Sequence, residues 1–109
     1  MPPFLLELPA DDPERARRFW LEVLGTNLVE RGRDEGQGWQ ADHAGMILGL
    51  HRRGRGPGDR FALPYFGVPD LPAALERVLG LGGAVVHPGD RWAICRDSEG
   101  TPFGLTRLE

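Results

Sequence analysis

Cysteine occurs once in the 109 residues, at Cys95. A single thiol excludes an internal disulfide and suits a reducing compartment. Because Cys95 lies in an apolar, strand-like run, it reads as a small core residue rather than a nucleophile. An excess of basic charge is also missing. The formal net charge of −3 leaves no electrostatic footprint for nucleic acid. No apolar run approaches the length of a membrane span, and no charged-apolar-small leader opens the chain. The expectation is therefore a cytoplasmic protein with neither membrane nor nucleic acid as a partner. Arg52, Arg53, Arg55 and Arg60 do cluster, but among Gly54, Gly56, Pro57 and Gly58 they read as a solvated linker.

What remains is ordinary for a soluble domain, with 40% hydrophobic and 27% charged residues, and the length suits a single core. The unusual feature is an echo. DHAGMILGL at 42–50 is answered by DSEGTPFGL at 97–105. In both, Asp is followed three residues on by Gly, and an apolar-Gly-Leu triplet closes the unit. The repeat extends upstream. Asp12 and Pro13 start a helical pattern with apolar residues at Ala16, Phe19, Trp20, Val23 and Leu24, stopped by Gly25. Asp70 opens a second pattern, with Leu71, Ala74, Leu75, Val78 and Leu79 on one face, ended by Gly82-Gly83.

Each helix follows a strand-like run, FLLELP or LPYFGV, and precedes strand-like material ending in Asp-x-x-Gly. The expected architecture is α+β: two tandem βαβββ modules forming a curved mixed-sheet cup, helices on the outer face. Module one spans 3–52, the linker 53–60 and module two 61–108. Asp-x-x-Gly is turn chemistry, Asp bonding nearby backbone and Gly supplying the positive φ.

Strand alternation sorts residues onto two faces. Phe4, Leu6, Leu8, Met46, Leu48, Leu50, Phe66, Val68, Phe103 and Leu105 are expected under the helices. The opposite parity holds Leu5, Glu7, Ile47, Gly49, His51, Leu63, Tyr65, Gly67, Pro102, Gly104 and Thr106. The third strands are expected to add Trp39 with Ala41, and Trp92 with Ile94 and Arg96. Large aromatics, gaps and a few polar groups suit a face curved around a ligand. Burial of Trp39 and Trp92 against a partner subunit is the alternative.

DDPERARRFWLEVLG, VPDLPAALERVLGLGGAVVHP and DSEGTPFGL, in that order and spacing, resemble motifs of the vicinal oxygen chelate superfamily: glyoxalase I, extradiol dioxygenases and bleomycin-resistance proteins. The resemblance covers most of residues 4–108. In metal-dependent members, one side chain from the first and one from the last strand of each module converge on a divalent ion. Those positions fall here on Leu5, Gly49, Leu63 and Gly104. None offers a side-chain lone pair, so the resemblance implies the metal-free, bleomycin-resistance-like branch, with no cofactor.

Two residues along each strand on the same face, about 7 Å away, stand Glu7, His51, Tyr65 and Thr106. Glu7 and His51 are candidates for a general acid/base couple, for ligands of a displaced metal, or for groups that orient a bound molecule. His43 and His87 fall at turn-like or strand-end positions and receive no role. The reading is a metal-free binder that clasps a flat or partly apolar small molecule. Trp39, Trp92, Tyr65, Leu5, Ile47, Leu63 and Ile94 would pack on it, Glu7 would meet a donor or cation, and Arg96 an anion. The alternatives are a lyase or isomerase working through Glu7 and His51, and a domain whose cup is closed by self-association. A C2 homodimer is expected.

Overall fold

The computed structural model describes residues 4–32, 37–56 and 58–108. Among the described residues, two helices and eight strands follow in the order expected of an α+β chain: β1 (Phe4–Ala10), α1 (Pro13–Leu24), β2 (Val29–Glu30), β3 (Trp39–His43), β4 (Met46–Arg52), β5 (Leu63–Val68), α2 (Leu71–Gly80), β6 (Ala84–His87), β7 (Trp92–Arg96) and β8 (Pro102–Arg107). The chain forms two compact units. One is Leu5–Ala62; the other holds Leu63 onward and also Phe4. Of the expected linker, Pro57 lies outside the described residues.

Each unit repeats the other's topology. In the first, the strand order is β2-β3-β4-β1, with β1 parallel to β4 and the other pairs antiparallel. In the second it is β6-β7-β8-β5, with β5 parallel to β8. The parallel pair needs a crossover, and the helix supplies it. The helix ends behave as the sequence implies. Asp12 accepts from the Arg15 amide at 3.1 Å and Asp70 from the Ala73 amide at 3.0 Å, each relieving an orphan donor of the first turn. Gly25 caps α1, its amide donating to the Leu21 carbonyl at 2.8 Å. After α2 the chain closes a Schellman turn: Gly82, at φ +90°, donates to the Leu79 carbonyl and Gly83 to the Val78 carbonyl.

The echoed units turn differently. In the second, the Asp97 carboxylate accepts from the Glu99 and Thr101 amides at 2.9 Å, as Asp-x-x-Gly implies. In the first, Ala44 (φ 52°) and Gly45 (φ 85°) make a two-residue hairpin that pairs His43 with Met46. Both central residues are left-handed, as in a primed turn.

Each unit packs one sheet face under its helix. In the first, Ala10, Leu28, Leu48 and Leu50 are buried, with Leu6, Leu8, Met46, Ala16, Trp20 and Leu24 against them. In the second, Leu71, Ala74, Ala93, Cys95 and Leu105 are joined by Val68, Leu75, Val78, Val85 and Phe103. Burial pushes the Cys95 thiol up, which fits its place in the core. Several expectations need correction. Phe66, expected under the helices, and Leu79, expected on the packed face of α2, are both exposed and belong to neither core cluster. On α1 the buried stripe is Ala16, Trp20 and Leu24, while Phe19 and Val23 are more than half exposed, because residues at i, i+4 and i+8 suffice to meet the sheet. Trp39 and Ala41, expected on the face away from the helix, pack into the helix-side cluster. Trp39 pairs with Leu50 across the hairpin and so shares its side of the sheet, and the Arg17 guanidinium lies 5.8 Å from its ring centroid.

Candidate functional site

Trp39 faces the helix, so its neighbour Gln40 faces the other way, directly across from Gly49. On the opposite flank of β4, Glu7 also pairs with Gly49, and Leu5 pairs with Ile47. Three strands thus bring Glu7, Gln40, Gly49 and His51 to one face of the first unit. Arg31, just beyond β2, completes the group.

The side chains form a chain of hydrogen bonds. Gln40 Oε1 accepts from Arg31 Nε at 3.1 Å, Arg31 Nη2 donates to Glu7 Oε2 at 2.6 Å, and His51 Nδ1 lies 3.1 Å from Glu7 Oε1. The Arg31 and Glu7 side chains are only 9% and 10% exposed, and His51 14%. Burial pushes the Glu7 carboxyl up, but hydrogen bonds from His51 and Arg31, with the charge of Arg31, outweigh it and hold the carboxyl below its ordinary value. Glu7 is therefore an ionised carboxylate with both oxygens engaged. It is not free to meet a ligand cation as the sequence implied, because two residues of its own unit already satisfy it.

Gly49 is what allows this. A Cβ at position 49 would collide with Glu7 Oε2 and Arg31 Nη2. The second glycine against the cluster is Gly38, whose carbonyl accepts from the Arg31 amide at 2.9 Å. A Cβ there would run into the Leu50 carbonyl and Arg31. The space implied by the missing side chain at 49 is occupied by an ion pair.

In the second unit the same face carries Tyr65, Ile94 and Gly104 in register, then Thr106 between Gly67 and Trp92, and Arg96 opposite Pro102. Leu63, Tyr65, Ile94 and Thr106 are buried, Arg96 is exposed, and Trp92 is 41% exposed. The Tyr65 ring covers Gly104, in the volume a side chain at 104 would need. Tyr65 and Trp92 meet edge to face, centroids 6.5 Å apart, and His87 stacks on Trp92 at 5.2 Å. His43 bonds the Thr26 hydroxyl, Nδ1 to Oγ1 being 2.7 Å.

Glu7 and His51 are therefore brought together as the sequence implied, with Leu5, Ile47 and Gly49 beside them. Tyr65, Trp92, Ile94, Arg96, Gly104 and Thr106 share a face in the other unit, and Trp39 leaves the set. Arg31 and Gln40 were not anticipated. Gln40 had a signal: a two-residue Ala44-Gly45 hairpin fixes its pairing with Gly49. Arg31 had none, lying in a polar stretch without periodicity.

A glyoxalase-like domain model matches residues 5–106. The chain belongs to the glyoxalase-like domain family. A comparison of the sequence with curated proteins returns no match. Among solved structures the fold is similar to a methylmalonyl-CoA epimerase from Mycobacterium tuberculosis (TM-score 0.70, 16% identity, covering 96% of this chain and 86% of that one). It is also similar to a glyoxalase/bleomycin resistance protein/dioxygenase superfamily member from Vibrio splendidus 12B01 (TM-score 0.68, 16% identity, 96% and 97%). An NAD-dependent benzaldehyde dehydrogenase from Legionella pneumophila aligns with a TM-score of 0.73 at 14% identity, over 98% and 100% of the two chains. At these identities the likeness is one of fold. Leu5, Gly49, Leu63 and Gly104, the positions that the sequence resemblance sets against metal ligands, carry no side-chain donor. Among the described residues, no group of three or more His, Cys, Asp or Glu is placed to hold a metal ion.

Proposed function

We propose that this glyoxalase-like protein binds a small, partly aromatic or apolar molecule on the face of the first unit's sheet that lies away from α1, without the superfamily's metal. The observation that carries the reading is the buried Glu7–Arg31–His51 cluster beside Leu5 and Ile47. Fixed polar groups beside apolar side chains are what small-molecule recognition requires. The second unit, taken by itself, offers the Tyr65–Trp92 aromatic pair, and Arg96 at the end of β7 is a partner for an anion. A resident divalent ion does not fit these residues: Leu and Gly bring no donor, and the Glu7 oxygens are taken by Arg31 and His51.

Two measurements test the reading. A panel of planar aromatic compounds is screened by thermal shift and Trp fluorescence. A true ligand at a hundredfold its Kd stabilises by about 2.7 kcal/mol, which raises Tm by roughly 10 °C for a domain of this size. Elemental analysis of protein purified without chelator is expected to find no stoichiometric divalent metal. A panel with no saturable binder refutes the binding role, and one Zn, Ni, Mn or Fe per chain refutes the metal-free one. The second reading, a lyase or isomerase, is favoured by one observation, the 3.1 Å contact between His51 and Glu7 that an acid/base couple needs. Turnover lost in His51→Ala with binding retained would establish it.

A further inference from the structure

One atom of the cluster is left over. An ionised carboxylate can only accept, so the proton in the His51–Glu7 contact belongs to Nδ1. In the neutral imidazole this leaves Nε2 as a bare lone pair. Nε2 is buried and has no hydrogen-bond partner among the described residues. Buried polar atoms are almost always paired, and leaving one unpaired forfeits the free energy of a hydrogen bond.

We propose that His51 Nε2 is a ligand-recognition atom, which accepts a hydrogen bond from the hydroxyl or N–H of a small uncharged molecule. The inference rests on the binding reading for this face and adds the chemical class of the ligand. Charge decides that class. Arg31 cancels Glu7 across 2.6 Å, so with a neutral imidazole the cluster carries no net charge. A cationic ligand finds no unspent carboxylate, and an anion meets a lone pair. A neutral donor is complementary. The atom is also held in place before any ligand arrives: Gln40 fixes the guanidinium, the guanidinium fixes Glu7, and Glu7 fixes the ring. Such preorganisation removes the cost of ordering the ring on binding. The His51 side chain as a whole keeps 14% of its surface exposed, while Nε2 itself is buried.

The test uses phenol and anisole, which share a ring and differ in that anisole has a methyl where phenol has its hydroxyl proton. Nitrogen-15 NMR of the intact protein, with His51 in its neutral form, reads both ring nitrogens. The expected spectrum shows Nδ1 protonated and Nε2 bare. Phenol is expected to shift the Nε2 resonance saturably and to bind about tenfold more tightly than anisole. In Glu7→Ala the tautomer preference and the phenol-over-anisole ratio are both expected to fall away; should that variant not fold, the wild-type spectra decide alone. An Nε2-protonated ring overturns the inference, as does phenol acting no differently from anisole, including when neither moves Nε2. A compound from the aromatic panel that binds while leaving Nε2 unmoved overturns this inference and leaves the binding reading standing. A panel with no binder removes the binding reading itself.

Discussion

Replacing Arg31 by Met keeps most of the side chain's length and removes its charge, leaving the Glu7 carboxylate nine-tenths buried with His51 as its remaining partner. An exposed ion pair would contribute about 1 kcal/mol or less, whereas stripping one partner from a buried pair costs about 3–5 kcal/mol. The 2.6 Å separation and the low exposure of both side chains place this pair in the second class. Retention of the His51 contact puts it at the lower end, near 3 kcal/mol. For a domain of this size that lowers Tm by roughly 12 °C. The double variant Glu7→Gln with Arg31→Met has no charge left to strand and is expected within about 1.5 kcal/mol of wild type, because well-packed neutral replacements of buried pairs are often tolerated. Urea unfolding of wild type, Arg31→Met, Glu7→Gln and the double variant at pH 7 measures the coupling. The pH dependence has a definite sign. The folded carboxyl lies below its unfolded value, so its contribution is full above the ordinary carboxylate range and is lost as pH falls through the lower folded value. The Arg31→Met penalty should therefore shrink on acidification. A single variant as stable as wild type, or a double variant no better than the single, refutes the buried-pair reasoning.

Gly49→Leu should destabilise by displacing the Glu7–Arg31 pair, and Gly104→Leu by displacing the Tyr65 ring; near-neutral urea midpoints for both would show that neither volume is occupied. Trp20→Ala, in the helix-side cluster, should cost about 3–5 kcal/mol, while Phe19→Ser, at an exposed neighbour, should stay within about 0.5 kcal/mol. Equal losses would show that the α1 stripe is misassigned. A C2 homodimer is expected from the exposed aromatic and aliphatic side chains Phe19, Val23 and Trp92, and light scattering that finds a monomer at micromolar concentration rejects it.

The parts of the fold that were legible in sequence are those set by local chemistry. Asp12 and Asp70 announced the helix starts, the terminal glycines announced the stops, and alternation along β1, β4 and β8 sorted the core from the opposite face, whereas on β5 it placed Phe66 in the core although that ring is exposed. Glu7 and His51 followed from that alternation. What failed was the transfer of parity from one module to the other. Gly104 pairs with Ile94, ten residues back, and Gly49 with Gln40, nine back. The odd difference, set by unequal turns, flips every side chain of β3 relative to β7, which sends Trp39 into the core while Trp92 stays on the other face. The α1 stripe was overcounted because five apolar residues cover more of the helix than the sheet can meet. Arg31 was invisible for a different reason: its position depends on long-range contacts with Glu7 and Gln40, which no local pattern encodes.

The two glycines show how a duplicated module can diverge without changing its letters. Both copies read Gly in the last strand, at 49 and 104, and both leave a gap on the same face of an equivalent strand. In the first copy the gap holds a guanidinium and a carboxylate; in the second it holds a tyrosine ring. The residue that chooses the occupant is the direct neighbour on the parallel strand, Glu7 opposite Gly49 and Tyr65 opposite Gly104. Exchanging these neighbours alone would not exchange the chemistry. Glu7 is tolerated in its buried place because Arg31 and His51 are there to satisfy it, whereas the residues facing Gly104 include Ile94, which has no hydrogen bond to give. A carboxylate moved to position 65 would meet desolvation without the compensating donors, so the polar character of the first unit belongs to the whole Gln40–Arg31–Glu7–His51 chain rather than to any one of its members.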